Sequence, residues 1–263
     1  LEPLDDDRFQ PRDRPPTPTS AEIAEAYARA RRTSADAWTV EAVSDRVFLS
    51  KDIVEYRVRP SREPVGVDDE YLVGKVYTSA RRSAEAYRLL AYAWTHGLGG
   101  EGGYGMSRPL AHLPHRCTVL MTRAPGWPLD RWLEHHGEAS MTADRIAGWL
   151  ARMHRVRPPP FPVERGLRVL RKPERLLRDL VEALPAHGPR LVRIGTALCA
   201  ARERVARSPQ PPVLLHGDLH PGNLFIDEAH VTAIDFDHAA LGDPATELAY
   251  LSTQLELPAL RAG

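Results

Sequence analysis

Hydrophobic and polar positions divide the first half of the chain into a helix, a group of strands and a second helix. Residues 21–32 carry apolar side chains at helical spacing, and Thr19 and Glu22 predict a capping box at the start of this helix. Between residues 38 and 77, runs rich in Val, Tyr and Phe alternate with breaks and predict antiparallel strands. A helix with one apolar face follows, and residues 116–123 form another apolar run. The pattern therefore predicts a small lobe built on an antiparallel sheet.

The second half of the chain is predicted to be mainly helical. Pro125 and Gly126 interrupt the pattern, which is then helical to about Arg207, and strands return only as short apolar runs. Asp243 and Pro244 have the residue types of an N-cap and of a first helical position, so they predict the start of a last helix. The expected fold class is α+β, with a sheet-rich lobe followed by a larger helical lobe.

Three segments are expected along the 263 residues. Residues 1–19 are rich in proline and charge and have little to bury, so they are predicted to form a disordered tail. Residues 20–124 are predicted to form the N-lobe and residues 125–263 the C-lobe, because the break at Pro125 separates the strands from the helices. A chain of this length can bury a sizeable core in each of two lobes.

Charge and cysteine content exclude several classes of protein. The 35 basic residues equal the 35 acidic ones, so the net charge gives no support for a nucleic-acid or membrane partner. The two cysteines are far apart, which excludes a disulfide framework or a cysteine-rich zinc module and fits a reducing compartment. No apolar run approaches the roughly 20 residues that span a bilayer. The expected protein is soluble and cytoplasmic.

Chemically active side chains are concentrated in residues 214–239, which hold four histidines, five carboxylates and one asparagine. Phosphoryl transfer to a hydroxyl needs a carboxylate near the attacking oxygen and oxygen ligands for the cation that neutralises the phosphates. Asp218 is suited to the first task, and Asn223 and Asp235 are suited to the second. The pattern of residues 224–235 predicts a hairpin that returns Asp235 to a position beside Asn223.

The same stretch also has the spacing of a transition-metal site. His216, Asp218 and His220 alternate as H-x-D-x-H, a pattern that a metallohydrolase could use. Catalytic zinc needs ligands that converge on one point, and no further histidine motif supplies them. The other interpretation of His216, which we favour, is a ring that holds the loop backbone by hydrogen bonds.

Asp218, Asn223 and Asp235 occur in the order found in the aminoglycoside phosphotransferase and choline kinase-like family. Residues 216–251, which contain them, resemble the catalytic and metal-binding region of that family. The resemblance implies a protein-kinase-like two-lobe fold and a Mg²⁺-dependent enzyme that moves the γ-phosphate of ATP or GTP to a small-molecule hydroxyl. It also implies that Asp218 is the catalytic base and that Asn223 and Asp235 bind the metal. Glu247 stands in the motif G-D-P-x-x-D-L-A where this family usually has aspartate.

The resemblance extends upstream into the N-lobe, which it identifies as the nucleotide-binding sheet. It implies that Lys75 binds the phosphates and that Glu85, on the following helix, pairs with this lysine. The carbonyl of Thr122 and the N–H of Ala124 would face the adenine edge. The nucleotide loop of this family is not glycine-rich, and its tip would correspond here to Ser50, Lys51 and Asp52.

Two questions stay open at this point: which compound accepts the phosphate, and whether the protein is an active enzyme. Residues 143–207 contain fifteen Arg or Lys and six Asp or Glu, a balance that does not favour a polycationic acceptor. A neutral or anionic hydroxyl compound, such as a sugar, a macrolide-like product or another metabolite, is at least as compatible. The alternative to an active enzyme is a kinase-like domain that has lost turnover and acts as a binding or regulatory module.

Overall fold

The computed structural model describes residues 15–47, 51–62, 69–136, 139–165, 173–206 and 211–262. The helices are α1 (Ser20–Arg31), α2 (Ala80–Ala93), α3 (Leu129–His136), α4 (Ala139–Met153), α5 (Pro173–Ala183), α6 (Gly188–Ala206) and α7 (Pro244–Ala262). The strands are β1 (Trp38–Val47), β2 (Lys51–Pro60), β3 (Glu70–Tyr77), β4 (Tyr104–Met106), β5 (Pro109–Leu113), β6 (Thr118–Thr122), β7 (Trp127–Pro128), β8 (Glu164–Arg165), β9 (Val213–Leu215), β10 (Leu224–Ile226), β11 (Val231–Ala233) and β12 (Ala240–Gly242). The fold class is α+β, as predicted.

The chain divides into two compact units. The first comprises Leu1–Arg152 and Gly222–Phe236, and the second comprises Met153–Pro221 and Asp237–Gly263. This division differs from the predicted lobes, whose boundary lay between residues 124 and 125. The reason is a second sheet in the first unit, in which the strands are ordered β4-β11-β10-β7. The late hairpin of β10 and β11 pairs there with strands from much earlier in the chain.

The first unit is built on a five-stranded antiparallel sheet with the order β1-β2-β3-β6-β5. Tyr56 of β2, Leu72 of β3 and Leu120 of β6 are fully buried, in one cluster with Ile23 and Tyr27 of α1. Burying a large apolar side chain stabilises the fold by about 1.5–3 kcal/mol. The packing of α1 against this face therefore anchors the sheet that carries Lys75.

The residues directly before α1 belong to the folded structure. Pro18 is buried, and its carbonyl accepts a hydrogen bond from the Tyr56 hydroxyl at 3.2 Å. This end of the segment predicted to be a disordered tail instead contacts the sheet, because the burial of Tyr56 requires a partner for its hydroxyl. The rest of that prediction, residues 1–14, lies outside the described residues.

The predicted capping box of α1 is confirmed. A carboxylate oxygen of Glu22 accepts from the N–H of Thr19 at 2.8 Å, and the Thr19 hydroxyl accepts from the N–H of Glu22 at 3.3 Å. The other oxygen of Glu22 accepts from Nε of Arg116 at 2.8 Å. Hydrogen bonds from Arg116, from the backbone of Thr19 and from His115 hold the pKa of Glu22 well below its ordinary value.

We expect Glu22→Gln to lower the free energy of unfolding by about 1 kcal/mol at pH 7. A depressed pKa means that the carboxylate stabilises the fold above its unfolded-state pKa, near 4.5, and that this contribution is lost as the pH falls below that value. Thermal denaturation at pH 7 and pH 3 measures the difference from wild type, which should be smaller at pH 3. Glu25→Gln, on an exposed position of the same helix, is the control. An equal loss at both pH values would contradict this account.

The predicted hairpin of β10 and β11 is also confirmed. Leu224 lies opposite Ala233 in an antiparallel pair. At the turn, one carboxylate oxygen of Asp227 accepts from the backbone N–H groups of Ala229 and His230, each at 2.7 Å. These bonds close the turn where the sequence predicted it, so the residue that follows β11 returns to the start of β10.

The second unit contains a small sheet ordered β8-β12-β9 together with helices α5, α6 and α7. Asp243 caps α7, since its Oδ1 accepts from the N–H of Ala245 at 2.9 Å, and Pro244 is the first residue of the helix, as predicted. Within the described ranges, no helix combines the length and the apolar character needed to cross a membrane.

Candidate active site

Lys75 lies on the central strand of the five-stranded sheet, and its side chain is only 6% exposed. β3 pairs this residue with Ile53 of β2 on one side and with Val119 of β6 on the other. Its Nζ donates to Oδ1 of Asp235 at 2.7 Å. Because a buried ammonium group is costly without an opposite charge, this ion pair is what allows a lysine at the centre of the sheet.

A second lysine contacts the same carboxylate. Nζ of Lys51, the first residue of β2, donates to Oδ2 of Asp235 at 2.6 Å, and the Lys51 side chain is 14% exposed. Lys51 is two residues from Ile53, the direct partner of Lys75, so the alternation of a strand places both lysines on one face. Sequence analysis placed Lys51 only in the tip of the nucleotide loop and not beside Lys75, because the strand register and not the local pattern brings the two lysines together.

Asp235 has an unusual backbone and a strongly stabilised charge. Its φ of 63° is in the left-handed region, which aspartate tolerates better than most residues. Burial raises the pKa of Asp235, but the charges of Lys75 and Lys51 and their hydrogen bonds more than offset this effect, so its pKa lies well below the ordinary value. The side chain is therefore a carboxylate at neutral pH and is suited to bind a cation.

Asn223 is buried just before β10, at 6% exposure. Its backbone carbonyl accepts a hydrogen bond from the N–H of Ile234, the residue before Asp235, at 3.0 Å. Asn223 and Asp235 therefore lie at adjacent ends of two paired strands, as the hairpin prediction required. Their side chains carry an amide oxygen and a carboxylate, which are ligands that Mg²⁺ prefers.

The structure places Glu85 away from Lys75. Its side chain is 56% exposed and forms an ion pair with Arg81 of the same helix at 3.1 Å. The face of α2 toward the sheet carries Ser83, which is buried and hydrogen-bonded to His112. Glu85 is two residues later, about 200° around the helix, and so points the other way. The predicted Lys75–Glu85 pair is not among the contacts of the described residues, and Asp235 takes that place.

The predicted hinge positions, Thr122 and Ala124, lie at and just after the end of β6. The N–H of Arg123 donates to the carbonyl of Tyr71 at 2.9 Å, toward β3. Since consecutive peptide groups of a strand alternate in direction, those of Thr122 and Ala124 are directed away from β3. The N–H of Thr122 is taken by the carbonyl of Arg108 at 2.9 Å. Ala124, at 9% exposure, has no backbone partner within the described part of the chain. Ser50, the predicted nucleotide-loop residue, lies outside that part.

In the second unit, Asp218 follows β9 in a loop that several side chains hold. The N–H of Asp218 donates to Nδ1 of the fully buried His216 at 3.4 Å, so the favoured interpretation of this histidine is confirmed. The hydroxyl of Tyr250 on α7 donates to Oδ1 of Asp218 at 2.9 Å. Burial, together with the hydrogen bond to Asp218 and the charge of that carboxylate, raises the pKa of Tyr250 to about 12, so it remains a neutral donor at physiological pH.

Glu247 fixes the same loop from one turn earlier on α7. It is 1% exposed, accepts from the N–H of Gly217 at 3.0 Å, and contacts Nε2 of His154 at 2.9 Å. Gly217 has φ 83°, and a Cβ there would lie 1.9 Å from the carbonyl oxygen of His238, so only glycine fits. Sequence reasoning noted Glu247 but missed Tyr250, although a residue three positions later on a helix lies on the same face.

The alternative metal site built on H-x-D-x-H gains no support from the geometry. Among the described residues, no group of three or more His, Cys, Asp or Glu side chains is arranged to hold a metal ion. His216 instead uses a ring nitrogen for the loop backbone. The spacing that suggested ligands is thus explained by a histidine that supports its own loop.

The fold of the chain is protein-kinase-like. A family model described as "Phosphotransferase enzyme family" matches residues 65–262, so the chain belongs to this family. No curated protein matched the chain.

Several solved structures share the fold at low identity. A choline/ethanolamine kinase family protein from Mesorhizobium loti has a TM-score of 0.53 and 16% identity, over 89% of this chain and 69% of its own. Amicoumacin kinase hAmiN, in complex with AMP-PNP, Ca²⁺ and Ami, has a TM-score of 0.52 and 14% identity, over 81% and 64%. Choline kinase from Cryptosporidium parvum Iowa II has a TM-score of 0.51 and 13% identity, over 87% and 67%. The chain thus spans about two thirds of the length of these proteins.

Proposed function

We propose that this chain is a Mg²⁺-dependent O-phosphotransferase that moves the γ-phosphate of ATP or GTP to a hydroxyl of a small molecule. The observation that carries the proposal is the buried ion pair of Lys75 and Asp235 at 2.7 Å. Together with the family membership, this pair supports a site in which the lysine binds nucleotide phosphates and the aspartate binds their metal ion. AMP-PNP in the amicoumacin kinase complex supports a nucleoside triphosphate as the donor.

The residues of the first unit fit a magnesium ion. Asn223 and Asp235 offer hard oxygen atoms at the ends of adjacent strands, and the Asp235 carboxylate is fully charged. When bound, the ion would neutralise charge on the phosphate oxygens during transfer. Lys75 would orient the phosphates, and Ala124 would donate its N–H to the purine.

The residues of the second unit fit the acceptor step. Asp218 would accept the proton of the acceptor hydroxyl while the new oxygen–phosphorus bond forms and the bond to the nucleoside diphosphate breaks. Tyr250 would hold one oxygen of this carboxylate, and Gly217 and Glu247 would keep the loop in place. The acceptor would be a hydroxyl compound such as a sugar, an antibiotic or another metabolite, and the basic excess of residues 143–207 gives no support for a polycation.

The test is nucleotide consumption by the purified protein with Mg²⁺ across a panel of hydroxyl-bearing acceptors that includes sugars, amino alcohols and antibiotics. Acceptor-dependent release of nucleoside diphosphate, with a phosphorylated product seen by mass spectrometry, is the expected result. Tight nucleotide binding with no turnover for any acceptor would instead indicate a binding or regulatory module. Activity that needs tightly bound zinc and no nucleotide would overturn the proposal in favour of a hydrolase.

The hinge assignment has a test of its own. Ala124→Pro removes one hydrogen-bond donor, so we expect about tenfold weaker nucleotide binding, near the upper end of what one such bond contributes. Ala124→Gly keeps the N–H and is the matched control. Affinity is measured by calorimetry and folding by thermal denaturation. A folded Ala124→Pro variant with wild-type affinity would place the purine elsewhere.

A further inference from the structure

Lysine is rare in this chain, and its positions are therefore informative. Of the 35 basic residues, only Lys51, Lys75 and Lys172 are lysines, and all the others are arginines. Two of these three donate to the two oxygens of one carboxylate, at 2.6 and 2.7 Å. Lysine presents a compact point charge on a flexible stem, whereas arginine presents a planar fork. A group that must move between an aspartate and a phosphate is better served by lysine.

The register of β2 and β3 holds the two lysines side by side. They lie on the same face of adjacent strands, at diagonal positions of an antiparallel ladder. Both side chains are largely buried, at 14% and 6% exposure. Two ammonium groups held this close repel each other, and Asp235 keeps them together by bonding one with each oxygen.

A metal ion at Asp235 would change this balance. The ion would compete with both lysines for the same two carboxylate oxygens, and a cation that displaced an ammonium group would add a further positive charge beside it. Only an anion brought in with the ion, such as a chain of phosphates, offsets that charge. Metal and phosphate binding would therefore be coupled through the two lysines.

The sequence between β1 and β2 favours a side chain, and not the backbone, as the group that would bind phosphate. Residues 45–52 contain no glycine, so this hairpin lacks the residue type that lets backbone N–H groups approach phosphates closely. Lys51 is at the end of that segment and offers a cationic donor in place of a backbone cradle.

We propose that Lys51 is a second nucleotide-phosphate ligand, which leaves Asp235 for a phosphate oxygen when the metal–nucleotide complex binds. This inference rests on the proposed function of the same site. It gives a phosphate-binding role to a residue that the resemblance placed only in the nucleotide-loop tip, and it makes the phosphate clamp of this chain a pair of lysines.

The test compares Lys51→Met, which keeps the length of the side chain and removes its charge, with wild type. We expect Mg²⁺–ATP affinity to fall at least tenfold, while adenosine, which has no phosphate, binds as in wild type. Lys51→Arg is expected to restore part of the lost affinity, because it restores the charge. Arg59→Met is the control, since it removes one positive charge from an exposed position of the same strand. Its Mg²⁺–ATP affinity should equal that of wild type.

The outcomes separate this inference from the function on which it rests. If wild type binds no nucleotide, the proposed function fails. Suppose instead that wild type binds ATP and Lys75→Ala binds it weakly, while Lys51→Met keeps wild-type ATP affinity. In that case only the proposed role of Lys51 is wrong. Equal losses for ATP and adenosine would mean that Lys51 acts through the fold alone, which also overturns the inference.

A second measurement needs no variant. Amine-reactive labelling of wild type, read by mass spectrometry, reports each lysine separately, and Lys172 serves as the internal reference. We expect saturating Mg²⁺–ATP to reduce labelling of Lys51 and Lys75 relative to Lys172. Increased labelling of Lys51 would show that the nucleotide frees this lysine from Asp235 without binding it, and the proposal would be abandoned.

Discussion

Asp218→Asn is expected to reduce phosphoryl transfer by a factor of about a hundred to ten thousand, the usual contribution of a positioned general base. Its affinity for the metal–nucleotide complex should stay within about threefold of wild type, below ~1 kcal/mol. The reason is that Asp218 would accept a proton only as the new bond forms, so its charge acts mainly in the transition state. The candidate phosphate and metal ligands, Lys75 and Asp235, belong to the other unit.

Asparagine is the informative substitution because it preserves the shape of the loop. Its amide oxygen can still accept the hydrogen bond from Tyr250, and Gly217 and Glu247 are unchanged. Two quantities are measured: turnover with the acceptor found in the panel, and nucleotide affinity by calorimetry. Glu228→Gln removes an exposed carboxylate of the β10–β11 turn and should change neither. If Asp218→Asn kept a rate within threefold of wild type, the base would have to be another group.

Asp235→Asn is expected to abolish the metal dependence of nucleotide binding. Wild type should bind ATP at least tenfold more tightly with Mg²⁺ than with a chelator, and in the variant this ratio should fall toward one. The carboxylate would bind the ion already in the ground state, so its loss appears in affinity as well as in rate. Asparagine adopts a φ of 63° as readily as aspartate, so the backbone is not strained by the change.

Stability must be measured alongside affinity for this variant. Removing one partner of a buried ion pair commonly costs about 3–5 kcal/mol, and here two ammonium groups lose their shared carboxylate. We expect a lower melting temperature that nucleotide without metal partly restores, because phosphates replace the missing anion. A silent Asp235→Asn beside inactive His216→Ala and His220→Ala variants that had lost zinc would favour the metallohydrolase instead.

Part of the candidate site was predictable because it depends on residues that are close in sequence. The loop that carries Asp218 and Asn223 is encoded by residues within one short stretch, and the hairpin that returns Asp235 follows from a local turn. Asp243 and Pro244 likewise predicted the start of α7, which was confirmed. In each case, local hydrogen bonds and the period of the strand decide the outcome.

The partner of Lys75 was not predictable in the same way. Resemblance suggested Glu85, which lies ten positions later on the next helix, but the rotation of α2 on the sheet points that side chain outward. Asp235, the carboxylate that contacts Lys75, is 160 residues away in sequence. The choice between the two depends on how helix and hairpin pack on the sheet, which no local pattern encodes.

The sequence by itself determined the class of fold, the hairpin that returns Asp235 to Asn223 and the strand that carries Lys75. These features rest on turns, caps and alternation, whose energies involve residues only a few positions apart. The tertiary structure alone decided that Lys51, 184 residues from Asp235, joins Lys75 on the same carboxylate, and that Tyr250 holds Asp218. Such contacts follow from strand register and helix packing, where the favourable burial of many side chains selects one arrangement of distant segments.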